Sequence, residues 1–369
     1  MKISIITVCL NSEKTIEQTI QSVISQNDDN YEYIIIDGES TDRTLDIVNK
    51  YKNNIAIIRS EVDSGVYDAM NKGISIATGD IIGIINSDDW YEPNLFWEIR
   101  KSFLESNADV VHGKLNSVHK DGKMETHATN NIEEIRYMMN IYHPTLFVRK
   151  EVYEKYGAFR LKYEIAADYD FVLRLYINGV KFFYLDRMFT NYRSGGLSDE
   201  YSLKCAEEVK EISQNYLAYA PLDKRNYFRF MINRQFVSAY FDEMLVNCPA
   251  YMGKILNQRL GVGQTDNIAI FGVGKWGLKA YDILQGNGVK ALLLVDNDRK
   301  KQNTYVRKSK VLSPESLENF KGVILVLVRN YSREILEQLK CLNNPDLYCI
   351  SWGEIAAEYI QLREKQYAG

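Results

Sequence analysis

Apolar runs of strand length alternate with helical patterns over the first 90 residues. Ile16, Ile20 and Val23 recur at the spacing of one helix face, which predicts a helix, whereas the unbroken apolar run that begins at Ile3 is typical of a buried strand. The predicted elements are strand 3–8, helix 11–25, strand 33–36, helix 42–51, strand 55–59, helix 69–78 and strand 81–85. This alternation predicts an α/β fold, in which a parallel sheet carries helices on both faces.

Polar side chains stand near the ends of three of these strands. Thr7 lies at the end of the first, Asp37 follows the second, and Asp88 and Asp89 follow the strand 81–85. Ligands of such sheets bind at the carboxyl ends of the strands. Two adjacent acids repel each other unless a cation lies near them, and carboxylates suit Mg²⁺ or Mn²⁺. The alternative is a solvated turn, because Ser-Asp-Asp is also good turn chemistry.

Four sequence blocks in this region decide between the two interpretations. They are residues 5–11 (IITVCLN), 36–42 (IDGESTD), 63–73 (DSGVYDAMNKG) and 86–89 (NSDD). In this order they resemble the nucleotide-binding half of glycosyltransferase family 2, which has the GT-A fold. The resemblance implies an enzyme that uses a nucleoside-diphosphate sugar as its donor.

The resemblance also implies roles for individual residues. The donor-binding residues would be Thr7, Asn11, Asp37, Asp68, Lys72 and Asp88. Asp89 would bind a Mn²⁺ or Mg²⁺ ion that bridges the diphosphate. Many relatives carry two acids where this chain has Asp37 and Gly38, so recognition of the base would rest on Asp37 alone, with uracil as the first expectation.

The acceptor side of the site is expected around Asp168, near the start of a helix that begins in the segment 165–174. The helix dipole keeps a carboxylate ionised there, and from the residues alone Asp168 is either a site residue or a simple N-cap. The resemblance implies that it is the general base, since it matches the second acid of a Glu-Asp motif. Ala167 replaces the Glu that is thought to orient the base. Asp170 is expected to be structural, in contact with Arg174.

Two further segments belong near this cleft. His143 starts a strand-like run and is either a contact to the acceptor or diphosphate or an ordinary hydrogen-bonding residue. The segment 193–198 resembles a mobile loop that closes over the donor, in which Arg193 would bind the diphosphate and Gly195 with Gly196 would form a hinge. A plain glycine-rich connection is the alternative.

These parts predict an inverting sugar transfer. A carboxylate removes the proton of the attacking acceptor hydroxyl, and a metal ion stabilises the departing diphosphate. The chain lacks the Gln-x-x-Arg-Trp motif of processive synthases, which favours the transfer of single sugars. The resemblance implies a saccharide or lipid-linked acceptor, in the assembly of bacterial surface polysaccharide.

Length and composition agree with a multidomain intracellular enzyme. The 369 residues suggest two or three domains, which we predict as a GT-A domain (1–200), a helical connector (201–262) and a Rossmann-like domain (263–369). A net charge of −4 argues against nucleic acid as a partner. Five cysteines without a Cys-x-x-Cys spacing predict a reducing compartment. With no predicted signal peptide and no apolar run of membrane-spanning length, the expected location is cytoplasmic.

The predicted connector contains basic residues that alternate with aromatic ones. They are Lys224, Arg225, Arg229 and Arg234, interleaved with Tyr227, Phe228, Phe230 and Phe236. Such a helix can lie on an anionic membrane surface, which would place the enzyme peripherally at the inner face of the cell membrane. In the alternative interpretation the aromatic side chains are core, and the basic stems cover its edge.

The last predicted domain carries a glycine fingerprint between a strand (267–271) and a helix (278–285). Gly272, Gly274 and Gly277 form Gly-x-Gly-x-x-Gly, and Asp296 follows the next strand about twenty residues later, as in dinucleotide-binding folds. With strands 323–328 and 347–350, a four-strand unit is expected. It would bind a nucleotide, or support folding and homo-oligomer assembly, or act as an oxidoreductase.

Two other functions compete with sugar transfer. One is a nucleotide-sugar binding protein without turnover, which the replacement of the Glu by Ala167 favours and the intact Asp88, Asp89 and Asp168 oppose. The other is a NAD-binding oxidoreductase centred on the Gly272–Gly277 fingerprint.

Overall fold

The computed structural model describes residues 1–129, 131–260, 267–289 and 291–367. The chain forms two compact units, Met1–Ile232 and Asn233–Gly369. Their boundary lies inside the predicted connector 201–262, and the predicted three-part division stays a prediction.

The first unit is built on a nine-stranded sheet. Its strands are β1 (Ile3–Cys9), β2 (Tyr31–Asp37), β3 (Ile57–Ser60), β4 (Ile81–Asn86), β5 (Trp90–Tyr91), β6 (Val110–Val118), β7 (Met124–His127), β8 (Phe147–Arg149) and β9 (Phe182–Arg193). Its helices are α1 (Ile16–Ile24), α2 (Thr44–Lys50), α3 (Val66–Ile76), α4 (Leu95–Ser106), α5 (Lys150–Tyr156), α6 (Ala167–Ile177), α7 (Leu197–Glu200) and α8 (Ser202–Tyr216). Short 3₁₀ helices cover Lys52–Asn54, Ile132–Arg136, His143–Thr145, Leu217–Tyr219 and Leu222–Lys224.

The strands and helices predicted within the first 90 residues are confirmed. Strands β3, β2, β1 and β4 lie side by side and are all parallel. Beyond β4 the sheet becomes mixed, because β8 pairs antiparallel with both β4 and β6, whereas β6 and β9 are parallel. The mixed half was not predicted from the sequence.

Helices cover both faces of this sheet, as the α/β prediction requires. On one face, Met70 of α3 and Phe171 of α6 pack against Ile6 and Ile34 of the sheet. On the other face the core contains residues of α1 and α4, such as Ile20 and Phe96, together with Ile5 and Ile35. Alternate residues of β1 and β2 therefore enter opposite layers, which holds the strand ends in fixed positions.

The chain after β9 is helical as far as residue 260, as predicted. Helix α9 (Arg225–Asn247) crosses the boundary between the units and is followed by α10 (Ala250–Leu260). None of the helices in the described ranges has the length and apolar character that a membrane span requires.

The second unit contains a six-stranded sheet, two strands more than predicted. Its strands are β10 (Asn267–Phe271), β11 (Ala291–Val295), β12 (Tyr305–Val306), β13 (Ser309–Leu312), β14 (Gly322–Val326) and β15 (Leu347–Ser351), and its helices are α11 (Lys275–Gly286), α12 (Ser332–Lys340) and α13 (Trp352–Tyr367), with a 3₁₀ helix at Pro314–Leu317. The prediction missed β12 and β13 because they are only two and four residues long. The parallel strands have the order β13-β11-β10-β14-β15. Numbered along the chain, this is the order 3-2-1-4-5, which is also that of the first five strands of a Rossmann sheet.

Candidate active site

The parallel strands bring the predicted donor residues to one edge of the first sheet. Cys9 pairs in register with Asp37 on one side of β1, and Val8 pairs with Asn86 on the other side. The end of β2 and the Asn86–Asp89 segment therefore flank the end of β1, and the predicted convergence of these three strand ends is present.

Asp37 is fully buried at this edge. Its carboxylate accepts hydrogen bonds from the hydroxyls of Ser40 (2.5 Å) and Ser60 (2.6 Å) and from the backbone N–H of Ser40 (3.0 Å). The Cys9 thiol lies 3.5 Å away, and burial, followed by the charge of Asp37, raises the pKa of this thiol. Through these hydrogen bonds Asp37 organises the loop after β2. Its direct contact with a nucleotide base stays a prediction.

Thr7 and Asn11 also make internal contacts. Thr7 is fully buried, with its hydroxyl 3.0 Å from the Tyr33 hydroxyl. Asn11 is exposed and has a left-handed backbone with φ of 50°. Its side-chain oxygen accepts the Thr41 N–H at 2.9 Å, and its own N–H donates to Ser40 at 2.8 Å. Asn11 therefore joins the loop after β1 to the loop after β2.

An acid that the sequence analysis did not single out lies beside Gly38. A Cβ atom placed on Gly38 would come within 2.6 Å of Asp63 Oδ2. The Asp63 carboxylate therefore occupies the space beside Gly38, where the family resemblance led us to expect a second acid. It is fixed there by the Gly65 N–H, which donates to Asp63 Oδ1 at 2.9 Å.

Asp68 and Lys72 form the wall that follows Asp63 in the chain. Lys72 Nζ donates to the Val62 carbonyl at 2.7 Å and lies 3.3 Å from carboxylate oxygens of both Asp68 and Glu61. Asp68 also accepts the Ser64 N–H at 3.0 Å. The backbone N–H bond and Lys72 lower the pKa of the Asp68 carboxyl, so this wall carries fixed charges of both signs.

Asp89 has the features of a cation ligand. It is fully buried; its Oδ1 accepts the Arg193 N–H at 3.0 Å, and its Oδ2 has no hydrogen-bond partner among the described residues. Burial, and then the charge of Asp88, raises the pKa of Asp89 well above its ordinary range. A buried carboxylate oxygen without a partner is costly unless a proton or a cation satisfies it. The donor set therefore fits a divalent ion.

Asp89 is not part of a ready-made cluster of metal-binding side chains. Within the described ranges no three His, Cys, Asp or Glu side chains are grouped closely enough to hold a metal ion. Burial also raises the pKa of Asp88.

Arg193 connects the glycine loop to the two acids. Its Nε donates to the Asp88 carbonyl at 3.2 Å, one terminal nitrogen donates to Gln18 at 2.9 Å, and the guanidinium lies 5.2 Å from the centre of the Trp90 ring. Gly195 has φ of 103°, a conformation that favours glycine. A Cβ on Gly196 would lie 4.0 Å from Asp88 Oδ2, so the loop approaches the acids.

Asp168 lies on the first turn of α6, one residue after the helix begins. The N-cap position is Ala166, so the simple N-cap interpretation of Asp168 is wrong. Its Oδ1 accepts the Tyr67 hydroxyl at 2.9 Å and the Tyr169 N–H at 2.9 Å, whereas His143 Nδ1 lies 3.3 Å from Oδ2. The carboxylate is held from three directions.

His143 joins Asp168 to the acidic strand end. Its Nε2 lies 3.4 Å from the side-chain oxygen of Asn86, the first residue of the Asn86–Asp89 block. The predicted strand starts later than expected, at Phe147, because residues 143–145 form a 3₁₀ helix that contains Pro144. His143 therefore lies between Asp168 and the Asn86–Asp89 segment, and its contact with an acceptor or diphosphate stays a prediction.

Neighbouring charges keep the start of α6 in place. Asp170 is fully buried and contacts Arg174 at 3.4 Å, as predicted, and also Arg160 at 3.2 Å. Glu208 of α8 accepts three consecutive backbone N–H groups, from residues 164, 165 and 166, at 2.8–3.0 Å. A nearly buried carboxylate thus anchors the loop before Asp168, and no local sequence pattern predicts this contact.

Two of the three glycines in the fingerprint of the second unit, Gly272 and Gly277, are required by the local backbone. Gly272 has φ of 107°, and a Cβ on Gly277 would lie 1.9 Å from the Gly272 carbonyl oxygen. A Cβ on Gly274 would meet no atom within 4 Å in the described residues. Asp296 accepts the Val273 N–H at 2.8 Å and contacts Lys301 at 3.1 Å, so this acid is already bound to the loop.

The basic residues predicted to contact a membrane are engaged within the protein. Lys224 contacts Glu133 at 2.8 Å, and Arg225 donates to the Ala220 carbonyl at 3.0 Å. Arg229 donates to Asn226 at 3.0 Å, and Arg234 donates to the Arg329 carbonyl at 2.6 Å. Among the aromatic residues, Phe228 is buried, whereas Tyr227 and Phe230 are exposed.

Comparison with known proteins decides the family. The model of glycosyl transferase family 2 matches residues 4–170. A PGL/p-HBAD biosynthesis glycosyltransferase of Mycobacterium bovis is 31% identical over 180 residues, which are 47% of this chain and 70% of that protein. The chain belongs to glycosyltransferase family 2. A poly(ribitol-phosphate) beta-glucosyltransferase of Bacillus spizizenii is 29% identical over 49% of the chain and 30% of its own length.

The fold of this glycosyltransferase is also found among solved structures. S. aureus TarS 1-349 in complex with UDP-GlcNAc superposes with a TM-score of 0.53 at 18% identity, over 79% of this chain and 90% of that one. In the second unit, the family model described as C2185-like, N-terminal, matches residues 264–346.

Proposed function

We propose that this family 2 enzyme transfers one sugar, with inversion, from a UDP-sugar to a hydroxyl of a saccharide or lipid-linked saccharide used for the cell surface. The observation that carries the proposal is the chain of contacts from Asp168 through His143 to Asn86, which links a carboxylate base to the acidic end of β4. The UDP-GlcNAc named for the TarS structure and the poly(ribitol-phosphate) named for the Bacillus relative support the substrate classes.

The proposed reaction is a direct displacement at the anomeric carbon of the donor sugar. The acceptor hydroxyl attacks the anomeric carbon while an oxygen of Asp168 takes its proton. The bond between that carbon and the diphosphate breaks on the opposite side, so the anomeric configuration inverts. A Mg²⁺ or Mn²⁺ ion held by Asp89 would supply Lewis-acid stabilisation of the diphosphate charge. Arg193 adds a positive charge at the same edge of the sheet.

A nucleotide-sugar screen tests the proposal. A donor that binds the folded state raises its melting temperature as its saturation increases. We expect a UDP-sugar with Mn²⁺ to stabilise the full chain, and the donor so identified to release UDP when saccharide acceptors are added. Stabilisation without any UDP release over a panel of acceptors would favour the binding protein without turnover. A screen in which nucleotide sugars leave the melting temperature unchanged would reject both.

The second unit is proposed to bind a nucleotide at Gly274, where α11 begins and backbone N–H groups can hold a phosphate. In an Asp89→Ala background, which silences the first site, NAD or a UDP-sugar is expected to raise the melting temperature. Gly274→Val should abolish that rise because it fills the open space. Gly286→Val is the matched control, since Gly286 is equally open but lies at the other end of α11.

Failure of all nucleotides to stabilise that background would instead favour a role of the second unit in assembly. A change of oligomeric state on deleting the unit, measured by light scattering, would then be expected. Reduction of a test substrate with NADH would favour the oxidoreductase.

We propose separately that the protein binds anionic membranes peripherally through Lys224, Arg225, Arg229 and Arg234. Each basic residue near an anionic leaflet contributes about 1 kcal/mol, and less at high salt. The protein is expected to sediment with anionic liposomes at low salt, and substitution of these four residues by Gln should weaken sedimentation. The same change at the exposed Lys300, Lys308, Lys310 and Lys321 is the control. A wild type that ignores such liposomes would leave these residues as internal contacts only.

A further inference from the structure

The residue that orients the base in the family motif is replaced in this chain, yet the base is well held. Ala167 is fully buried and has no polar side-chain atom to offer Asp168. The Asp168 side chain is only 16% exposed and has polar partners from outside its own helix. Tyr67 comes from α3, and His143 comes from the 3₁₀ helix before β8.

Tyr67 is held in a position to donate a hydrogen bond to the Asp168 carboxylate. Its ring is nearly buried and packs against Phe159, with 5.3 Å between the ring centres. Its hydroxyl lies 2.9 Å from Asp168 Oδ1 and 2.7 Å from the Ile165 carbonyl oxygen. Burial, followed by the Asp168 charge, raises the pKa of Tyr67 well above its ordinary range, so the hydroxyl keeps its proton. One proton and two acceptors allow the hydroxyl to donate to either oxygen.

His143 holds the other carboxylate oxygen. Its side chain is 15% exposed, and its two ring nitrogens contact Asp168 Oδ2 and the Asn86 side chain. A ring fixed at both nitrogens has little freedom to rotate. The position of Oδ2 is therefore tied to the end of β4, where the acids of the donor site begin.

We propose that Tyr67 and His143 are the positioning residues of Asp168 and replace the missing Glu, and that Asp168 Oδ2 is the oxygen that receives the proton. This rests on the proposed function, because it concerns the same transfer reaction. Oδ1 already accepts two hydrogen bonds, from Tyr67 and from the Tyr169 N–H, whereas His143 is the single partner of Oδ2 among the described residues. Oδ2 therefore keeps acceptor capacity for an incoming hydroxyl.

Tyr67 also accounts for how the carboxyl group stays satisfied after the reaction. As the new bond to the anomeric carbon forms, the O–H bond of the acceptor breaks and its proton moves to Oδ2. Asp168 is then neutral and needs less hydrogen bonding at Oδ1. The Tyr67 hydroxyl can turn its proton to the Ile165 carbonyl while Oδ1 keeps the Tyr169 N–H, so each of these polar groups retains a partner.

The test compares variants that remove one contact at a time in the full chain. Tyr67→Phe keeps the ring packing and removes the hydroxyl, and His143→Ala removes the ring. Each is expected to lower kcat by roughly 10- to 10²-fold, because misplacement of a reacting group costs that much, with little change in the donor KM. His143→Gln, which can still donate a hydrogen bond, should recover part of the loss. Tyr153→Phe is the control, at a buried tyrosine of the same unit that stacks on Phe171.

The division of the effect between kcat and KM separates positioning from general structural damage. Tyr67→Phe keeps the ring that packs against Phe159, so the melting temperature and the donor KM should stay near their wild-type values while kcat falls. In Tyr153→Phe, kcat should stay unchanged.

The outcomes distinguish this inference from the proposed function. A wild type that transfers sugar, together with full kcat in both Tyr67→Phe and His143→Ala, would overturn the inference and leave the function standing. A wild type that transfers no sugar from any donor that it binds would instead reject the function. Equal losses in Tyr67→Phe and Tyr153→Phe would also overturn the inference, since the effect would then be one of packing.

Discussion

Asp168→Asn is expected to lower turnover by roughly 10² or more, in line with the usual contribution of a general base, while donor binding changes little. Asparagine has nearly the same size as aspartate and can still accept hydrogen bonds from Tyr67 and the Tyr169 N–H. It cannot take up the proton of the acceptor hydroxyl. The measurement is kcat with a saturating donor, together with the donor affinity by calorimetry.

Near-normal turnover of this variant would reassign the base. Asp170 is excluded as the replacement by its contacts, since it is fully buried and paired with Arg160 and Arg174. The proton acceptor would then be His143, which lies beside Asp168. His143→Gln would in that case be as inactive as His143→Ala.

Asp89→Ala is expected to abolish turnover and metal-dependent binding of the nucleoside diphosphate. In the wild type, calorimetry should show diphosphate binding with Mg²⁺ or Mn²⁺ and a large loss of affinity in EDTA. Asp186→Ala is the control, because Asp186 is an exposed acid of the same unit whose carboxylate contacts Lys114. Unchanged diphosphate affinity in EDTA would contradict the metal role.

The same variant gives a pH test that needs no catalysis. The folded protein holds the Asp89 proton to a higher pH than the unfolded chain does, because burial raises the pKa of this group. At a pH below the ordinary carboxyl range, Asp89 is protonated in both the folded and the unfolded protein. Between that range and the raised pKa of the folded protein, only the unfolded chain releases the proton. The free energy of unfolding therefore falls as the pH rises through this window. In EDTA the melting temperature of the wild type should decline over this range through the Asp89 contribution. Asp89→Ala should lack that part of the decline.

The strands that meet at the candidate donor site, and the convergence of their ends, were predicted correctly from the sequence. Burial on both faces makes β1, β2 and β4 visible as apolar runs, and parallel pairing then forces Asp37 and the Asn86–Asp89 segment to the same edge. Residues that lie side by side along one edge of a parallel sheet can be predicted once its strands are recognised. The predicted strands and the convergence of their ends needed no tertiary detail.

The contacts that the sequence did not predict are those between distant segments. Tyr67 reaches Asp168 across 101 positions, and Asp63 fills the space beside Gly38, from a different loop. Glu208 reaches the loop before α6 from α8. In each case a local pattern shows a tyrosine or an acid of ordinary appearance, and only packing supplies its partner. Likewise, the turn from parallel to antiparallel pairing at β8 depends on a three-residue strand.

Helix α9 limits where the chain can be divided for study. Its first residues belong to the first unit, where Phe228 and Ile232 pack with Tyr137 and Ala220, and the rest of the helix belongs to the second unit. A fragment that ends at Ile232 would stop inside the helix and leave its last carbonyl groups without intrahelical partners. The truncated helix would also be too short to be stable by itself. Extension to Asn247 would complete the helix but expose Phe241 and Met244, which are fully buried, so the whole chain is the sound object of study.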